Sequence, residues 1–129
     1  MVYILIAVIG YIIGNLSSSY IVGKIMGKID VREHGSGNLG ATNVYRVLGF
    51  KAGGIVFLAD AVKGILATLI GVWIKGDIGG LIGAIAAVAG HNWPFLLGFK
   101  GGKGIATSFG SIIVLFPFIS FILFIVEVL

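Results

Sequence analysis

The chain has 129 residues, a formal net charge of +4, 58% hydrophobic and 11% charged residues, and a mean hydropathy of +1.13. Soluble domains carry about a quarter charged residues, and a chain this apolar cannot hide its surface by folding on itself, so lipid is the expected solvent for much of it. The absence of cysteine excludes disulfides, thiolate metal sites and cysteine nucleophiles; two histidines, His34 and His91, are too few for a histidine-built metal site, and no metal is expected.

A bilayer core of roughly 30 Å needs about 20 apolar residues in helix. The first segment that qualifies runs from Val2 to Val22. It has no basic n-region and its apolar run is too long for a signal peptide, so it reads as a span. Within it Asn15, Ser17, Ser18 and Ser19 are expected to form hydrogen bonds between helices. The connection that follows carries Lys24, Lys28, Arg32, Arg46 and Lys51. It holds the stretch from His34 to Arg46, in which Gly35, Gly37 and Gly40 permit positive φ and bring main-chain N–H groups up to a ligand. Ser36, Asn38, Thr42 and Asn43 add neutral hydrogen-bonding groups, and Arg46 adds a planar fork suited to phosphate oxygens. A glycine-rich turn running into a helix N-terminus is a natural anion site, and Asn43 and Arg46 share a face if the segment after Gly40 is helical.

The second span is expected from Gly53 to Ile74 and contains Asp60 and Lys63. Charges at that depth need a partner or a cavity, and a spacing of three puts both on one helix face. Two readings remain open there, a polar cavity that serves a site or a structural ion pair that fixes packing. Lys75 and Asp77 precede a third span, from Ile78 to Phe99. Gly90-His91-Asn92-Trp93-Pro94 interrupts it, because Pro94 lacks an N–H and crowds the preceding turn; a kink or helix end is expected there, with His91 at the break. Gly98-Phe99-Lys100-Gly101-Gly102-Lys103-Gly104 then leads into a fourth span that reaches Val126. Two lysines and bare glycine N–H groups before a helix start again favour phosphate. A Walker A loop is excluded, since Leu97 and Gly104 stand where it requires Gly and Ser or Thr.

Basic residues crowd the first and third connections, so the positive-inside rule puts both loops in the cytoplasm and the N-terminus outside. The expected fold is an all-α integral membrane protein of about four transmembrane helices, one domain over residues 1–129, with two glycine-rich cytoplasmic loops able to converge on one site. The chain reaches Leu129 without a flanking polar segment, which reads as a C-terminal truncation. Neither a nucleophile elbow nor a spare carboxylate pair is present, so the residues favour binding and charge stabilisation over covalent catalysis.

The stretch from Gly35 to Arg46, the segment Asp60-Ala61-Val62-Lys63-Gly64, and the run from Gly90 to Gly104 resemble, in order and spacing, the bacterial acyl-phosphate:glycerol-3-phosphate acyltransferase family, PlsY. The resemblance implies transfer of an acyl group from acyl phosphate to the 1-hydroxyl of glycerol 3-phosphate, giving lysophosphatidic acid and phosphate, the first step of bacterial phospholipid synthesis. It implies a multi-pass protein of the bacterial inner membrane with its site facing the cytoplasm and no cofactor. The partners would be glycerol 3-phosphate, acyl phosphate and membrane lipid, with the acyl-phosphate-producing enzyme as a further candidate and no nucleic acid. Ser36, Asn43 and Arg46 are then assigned to binding and positioning glycerol 3-phosphate, together with Gly35, Gly37, Asn38 and Thr42, and Ser36 joins His91 and Lys103 as a catalytic candidate. Lys103, Lys100 and the Gly101-Gly102 backbone are assigned to a phosphate, with Asn92 and Gly104 beside them and Lys103 stabilising the leaving group. His91 is a candidate to orient or deprotonate the hydroxyl, a role the phosphate of the acyl phosphate could equally fill. Asp60 and Lys63 would organise the cavity.

Two rivals stand beside the acyltransferase: a small transporter or channel subunit with an anion path at the broken helix, and an inactive truncated relative. Polar groups clustered at one membrane face disfavour the transporter, whose site would lie near the midplane. The resemblance also implies a third, His-Arg-Glu-Asn-like motif beyond residue 129. Reading the coding DNA past the codon for Leu129 checks this: an in-frame motif of that type is expected, and finding none would favour the inactive relative.

Overall fold

The computed structural model describes residues 1–128; Leu129, the last residue of the expected domain, lies outside the described residues. Every regular element among the described residues is helical. Helix α1 spans Val2–Asn15 and α2 spans Ser18–Val22, which continues into a wide π turn over Gly23–Gly27. A short 3₁₀ turn, Val31–Glu33, leads to α3 (Ala41–Leu48). Helix α4 (Phe50–Asn92) is broken at Lys75 (φ −145°) and Gly76 (φ +67°) into arms 50–74 and 77–92. Only glycine adopts that positive φ without strain, so Gly76 lets the chain double back. A 3₁₀ turn, Phe95–Leu97, precedes α5 (Ile105–Leu115) and α6 (Pro117–Val128).

Small residues form the inside and large apolar residues the outside. The two arms of α4 run antiparallel, with Gly71 against Gly79 and Gly83 against Ala67. Helix α1 lies on the second arm through Gly10, Gly14 and Gly90, and α5 lies on the first through Gly64 and Gly110. A Cβ at Gly14, Gly64 or Gly110 would run into the carbonyl of Ala87, Thr107 or Ala61. Glycine is needed there because the backbones themselves touch, the usual way helices associate when lipid removes the hydrophobic drive between them. Leu58, Trp73 and Phe118 are largely exposed on the outer surface. The helical segments Val2–Gly27 and Phe50–Leu97 are long and apolar enough to cross a membrane, the second doubling back at its break.

The ends of the expected spans differ in instructive places. The first span breaks at Leu16 (ψ 100°), where Ser17 accepts from the Tyr20 N–H and restarts the helix as α2. The third ends at Asn92 rather than Phe99, at the break that Pro94 dictates. The fourth is not one helix: Phe116 leaves helical geometry (φ −137°, ψ 66°) because Pro117 follows it. Asn15 and Ser18 do bond across elements, to Leu96 N–H and to Asp60, whereas Ser19 is buried with its hydroxyl unpartnered among the described residues.

Replacing Gly110 by Ala is expected to cost about 1–3 kcal/mol through overpacking, read as a lower melting temperature in detergent. Gly54→Ala, where nothing lies within 4 Å of the new Cβ, should leave the melting temperature unchanged or raise it. Equal melting temperatures for the two variants would overturn the close-approach reading.

Candidate active site

The first loop folds around one side chain. The Asn43 amide is buried; its Oδ1 accepts from Ser36 N–H at 3.0 Å, and its Nδ2 donates to the carbonyls of His34 and Asn38, both at 3.1 Å. Gly35 (φ +56°) and Gly37 (φ +76°) supply the left-handed turns that wrap the backbone round that amide. A Cβ on Gly35 would collide with Asn43 Oδ1. Both N–H groups of the amide are therefore committed to the loop, and Asn43, which also lines the cavity, shapes the loop round it. Val31 before the loop and Leu39 and Val44 at its far end anchor it in a small core with Ala52 and Val56.

The loop delivers the chain to α3 at Gly40, which has no side chain to cap the helix. The first bond closing that helix runs from Val44 N–H to the Gly40 carbonyl. The N–H groups of Ala41, Thr42 and Asn43 are thus left for another acceptor. The second loop ends in the same way. Gly104 (φ +76°) starts α5 without a side-chain cap, and Ser108 N–H bonds the Gly104 carbonyl, leaving the N–H groups of Ile105, Ala106 and Thr107.

These two helix starts open on one cavity of about 270 Å³. Of the residues singled out in the sequence, Ser36, Asn38, Thr42, Asn43, Arg46, Asp60, His91, Lys103 and Gly104 line it. Phe57, Ile105 and Ala106 add an apolar wall. The exposed side chains of Arg46 and Lys103 make no ion pair among the described residues. Two positive helix ends and two cations without an ion pair thus converge on this cavity, an arrangement suited to anions.

Several expected ligands lie elsewhere. Gly101 and Gly102 do not present free backbone: their N–H groups bond the carbonyls of Asn92 (3.0 Å) and His91 (3.2 Å) at the end of α4. A Cβ on Gly102 would meet the Leu39 carbonyl, so glycine is there to let the two loops touch. Lys100 lies apart from Lys103, on a second cavity of about 300 Å³ with Gly37, Gly101, Asp30, Arg32 and Glu33. The Arg32 guanidinium, 2.7 Å from Asp30, lowers that carboxyl to about 2, so Asp30 stays ionised and the charge of Arg32 is already paired. Asn92 is outside the main cavity, its Oδ1 beside Gly104 and unpartnered among the described residues.

Behind the cavity lies a polar cluster joining three segments. Lys63 Nζ is 3.3 Å from Asp60 Oδ1, as the spacing of three requires, and 2.9 Å from His91 Nδ1. It also donates to the carbonyls of Gly14 (3.2 Å) and Leu16 (2.9 Å), which the break of the first span leaves open. Ser18 Oγ donates to Asp60 Oδ1 at 2.6 Å. Lys63 is thus spent on protein acceptors and does not reach the cavity. No sequence signal pointed to the Gly14 and Leu16 carbonyls or to Phe57, because which face of an apolar helix looks inward depends on its neighbours.

The sequence model of the family described as "Glycerol-3-phosphate acyltransferase" matches residues 4–129. The chain belongs to this family. Similar proteins include the glycerol-3-phosphate acyltransferase of Thermoanaerobacter pseudethanolicus, 51% identical over 122 residues, which are 95% of this chain and 62% of the relative. That of Bacillus subtilis is 47% identical over 117 residues, 91% of this chain and 61% of the relative. The chain therefore spans about three-fifths of the length of the curated relatives it matches. Crystal structures of PlsY (YgiH), an integral membrane glycerol 3-phosphate acyltransferase, match the fold. The glycerol 3-phosphate form gives a TM-score of 0.87 at 37% identity, over 95% of this chain and 62% of that one. The lysophosphatidic acid form gives 0.84 at 35%, over 95% and 61%. The resemblance carried by the loop motifs is thus a family membership, and the transporter reading falls.

Asn43→Ala removes three bonds from the 34–40 loop and should cost about 1–3 kcal/mol of local stability. Limited proteolysis is expected to cut that loop much faster in the variant. Cleavage at the parent rate would show that something other than the amide holds it.

Proposed function

We propose that this chain is a single transmembrane acyltransferase unit that transfers an acyl group from acyl phosphate to the 1-hydroxyl of glycerol 3-phosphate, releasing lysophosphatidic acid and phosphate. The observation that carries the reading is the convergence of two uncapped helix starts, Arg46 and Lys103 on one cavity with an apolar wall. The glycerol 3-phosphate and lysophosphatidic acid forms of the similar PlsY chain support the acceptor and the product. The acyl-phosphate donor rests on chemistry: the site offers phosphate binding and, among the described residues, no cysteine or nucleophile elbow, which suits a donor already activated.

Arg46, Ser36 and the first turn of α3 would hold the phosphate of glycerol 3-phosphate. Lys103 and the first turn of α5 would hold the phosphate of the donor. The fatty chain would lie along the wall of Phe57, Ile105 and Ala106 toward lipid. The 1-hydroxyl oxygen then attacks the acyl carbon, the bond from that carbon to the phosphate oxygen breaks, and the phosphate leaves with the electron pair and takes up the hydroxyl proton. Lys103 neutralises the charge that grows on the leaving oxygen. Fixing two anions side by side also replaces a bimolecular encounter with an oriented one. Lys100, on the second cavity, would act on approach, raising the local concentration of anionic substrates. The distribution of basic residues supports loops in the cytoplasm, an N-terminus outside, and residence in the bacterial cytoplasmic membrane. Membrane lipid would surround the bundle, and the enzyme that makes acyl phosphate would be the natural neighbour.

The test is acylation of glycerol 3-phosphate by membranes that carry the full-length protein. Ser36→Ala, Arg46→Ala and Lys103→Ala should each lower kcat/KM, the two cations by about 10²–10³. Near-normal rates in all three would overturn the assignment, and turnover with an acyl thioester alone would overturn the donor.

A further inference from the structure

His91 is buried, with 6% of its surface exposed, yet it lines the phosphate cavity. The atoms round its Nδ1 determine where its proton lies. Lys63 Nζ, 2.9 Å away, also faces the Gly14 carbonyl, the Leu16 carbonyl and Asp60 Oδ1. The two carbonyls can only accept. Asp60 Oδ1 already accepts from Ser18 Oγ and acts as a carboxylate oxygen. With two N–H groups on the carbonyls and the Asp60 carboxylate beside it as counter-ion at 3.3 Å, Nζ is an ammonium whose third N–H is left for Nδ1. A nitrogen facing an ammonium can only be an acceptor. Asp60 Oδ1 is 3.8 Å from Nδ1, beyond hydrogen-bond reach, so it does not compete for a proton there.

We infer that Lys63 is a positioning residue that fixes His91 as the tautomer protonated on Nε2, and that His91 serves the cavity as a hydrogen-bond donor and not as a base. A neutral imidazole with Nδ1 accepting carries its one proton on Nε2. Nε2 lies against Gly102, where the two loops meet, and has no hydrogen-bond partner among the described residues. To take up a proton at Nδ1, His91 would have to displace the ammonium, and the resulting imidazolium would stand beside a like charge. Donation from Nε2 to a phosphate oxygen has neither obstacle. The donor role rests on the proposed function, because it needs phosphate in the cavity; the tautomer does not.

The experiment is nitrogen-15 NMR of the histidine-labelled full-length protein in a membrane mimetic, with His34 as internal reference. His91 should show a protonated Nε2 and an unprotonated, hydrogen-bonded Nδ1. Inorganic phosphate should shift the Nε2 resonance. A proton on Nδ1, or an imidazolium at neutral pH, would overturn the tautomer; an Nε2 signal indifferent to phosphate would overturn the donor role. The charge-balanced double variant Asp60→Asn/Lys63→Met should give a mixture of tautomers, and an unchanged spectrum would remove Lys63 from the account. Should that variant fail to fold, the parent spectrum still decides the tautomer. In turnover, His91→Gln places an amide N–H near the position of Nε2 and should stay within about tenfold of the parent, whereas His91→Asn ends near Nδ1 and should lose about 100-fold in kcat/KM. Equal loss in both variants, with disappearance of an imidazole limb from the pH–rate profile, would make His91 the base. A correct spectrum and phosphate shift without any acylation would uphold this inference and overturn the proposed reaction.

Discussion

An ammonium inside an apolar bundle needs acceptors on every side, and Lys63 finds them on three segments at once. Two are carbonyls at the break of the first span, one is Asp60 a turn away on its own helix, and one is His91 on the returning arm of α4. Removing any of these would leave a buried charge or buried carbonyls without partners, at a cost of several kcal/mol. The cluster therefore ties the break after Asn15 to the first arm of α4 and to the last turn of the second. The second loop starts from the last of these points.

Close backbone contact does the rest of the positioning. Lipid gives helices no hydrophobic reason to associate, so they gain from dispersion and carbonyl contacts only where side chains are small enough. Gly14 against Ala87, Gly64 against Thr107, and Gly110 against Ala61 bring α1 and α5 to the two arms of α4. The same logic continues into the polar region. Gly101 and Gly102 let the second loop bond the last carbonyls of α4 and touch Leu39 of the first loop. Loop glycines that look like phosphate cradles in sequence are here the means of joining two loops.

The anion site then follows from where helices begin. Helix α3 and helix α5 both start at a glycine that cannot cap them, and both starts face the same cavity. The N–H groups that a serine or aspartate would otherwise have satisfied are kept for a ligand. Arg46, one turn into α3, and Lys103, just before α5, add full charges to the partial ones. The proposed phosphate-bearing substrates draw both on the family membership and on the helix ends and cavity lining.

By itself the sequence determined the all-helical class, the motif residues, the helix end forced by Pro94, and the pairing of Asp60 with Lys63. Each of these is local: hydrophobic run length, ring sterics and a spacing of three need no knowledge of neighbours. It also pointed to both glycine loops as anion-binding, because glycine followed by a helix start is a local pattern. Only the tertiary structure decided which groups in those loops are free. Asn43 is consumed by its own loop, the Gly101 and Gly102 N–H groups by the end of α4, and Lys100 faces a different cavity from Lys103. The third member of the Asp60–Lys63 pair, His91, lies 28 residues along the chain from Lys63, and the turn at Gly76 brings it into reach. A hydrogen-bonding group has a fixed number of donors and acceptors, and which partner takes them is settled by distance in space, which residue order does not record.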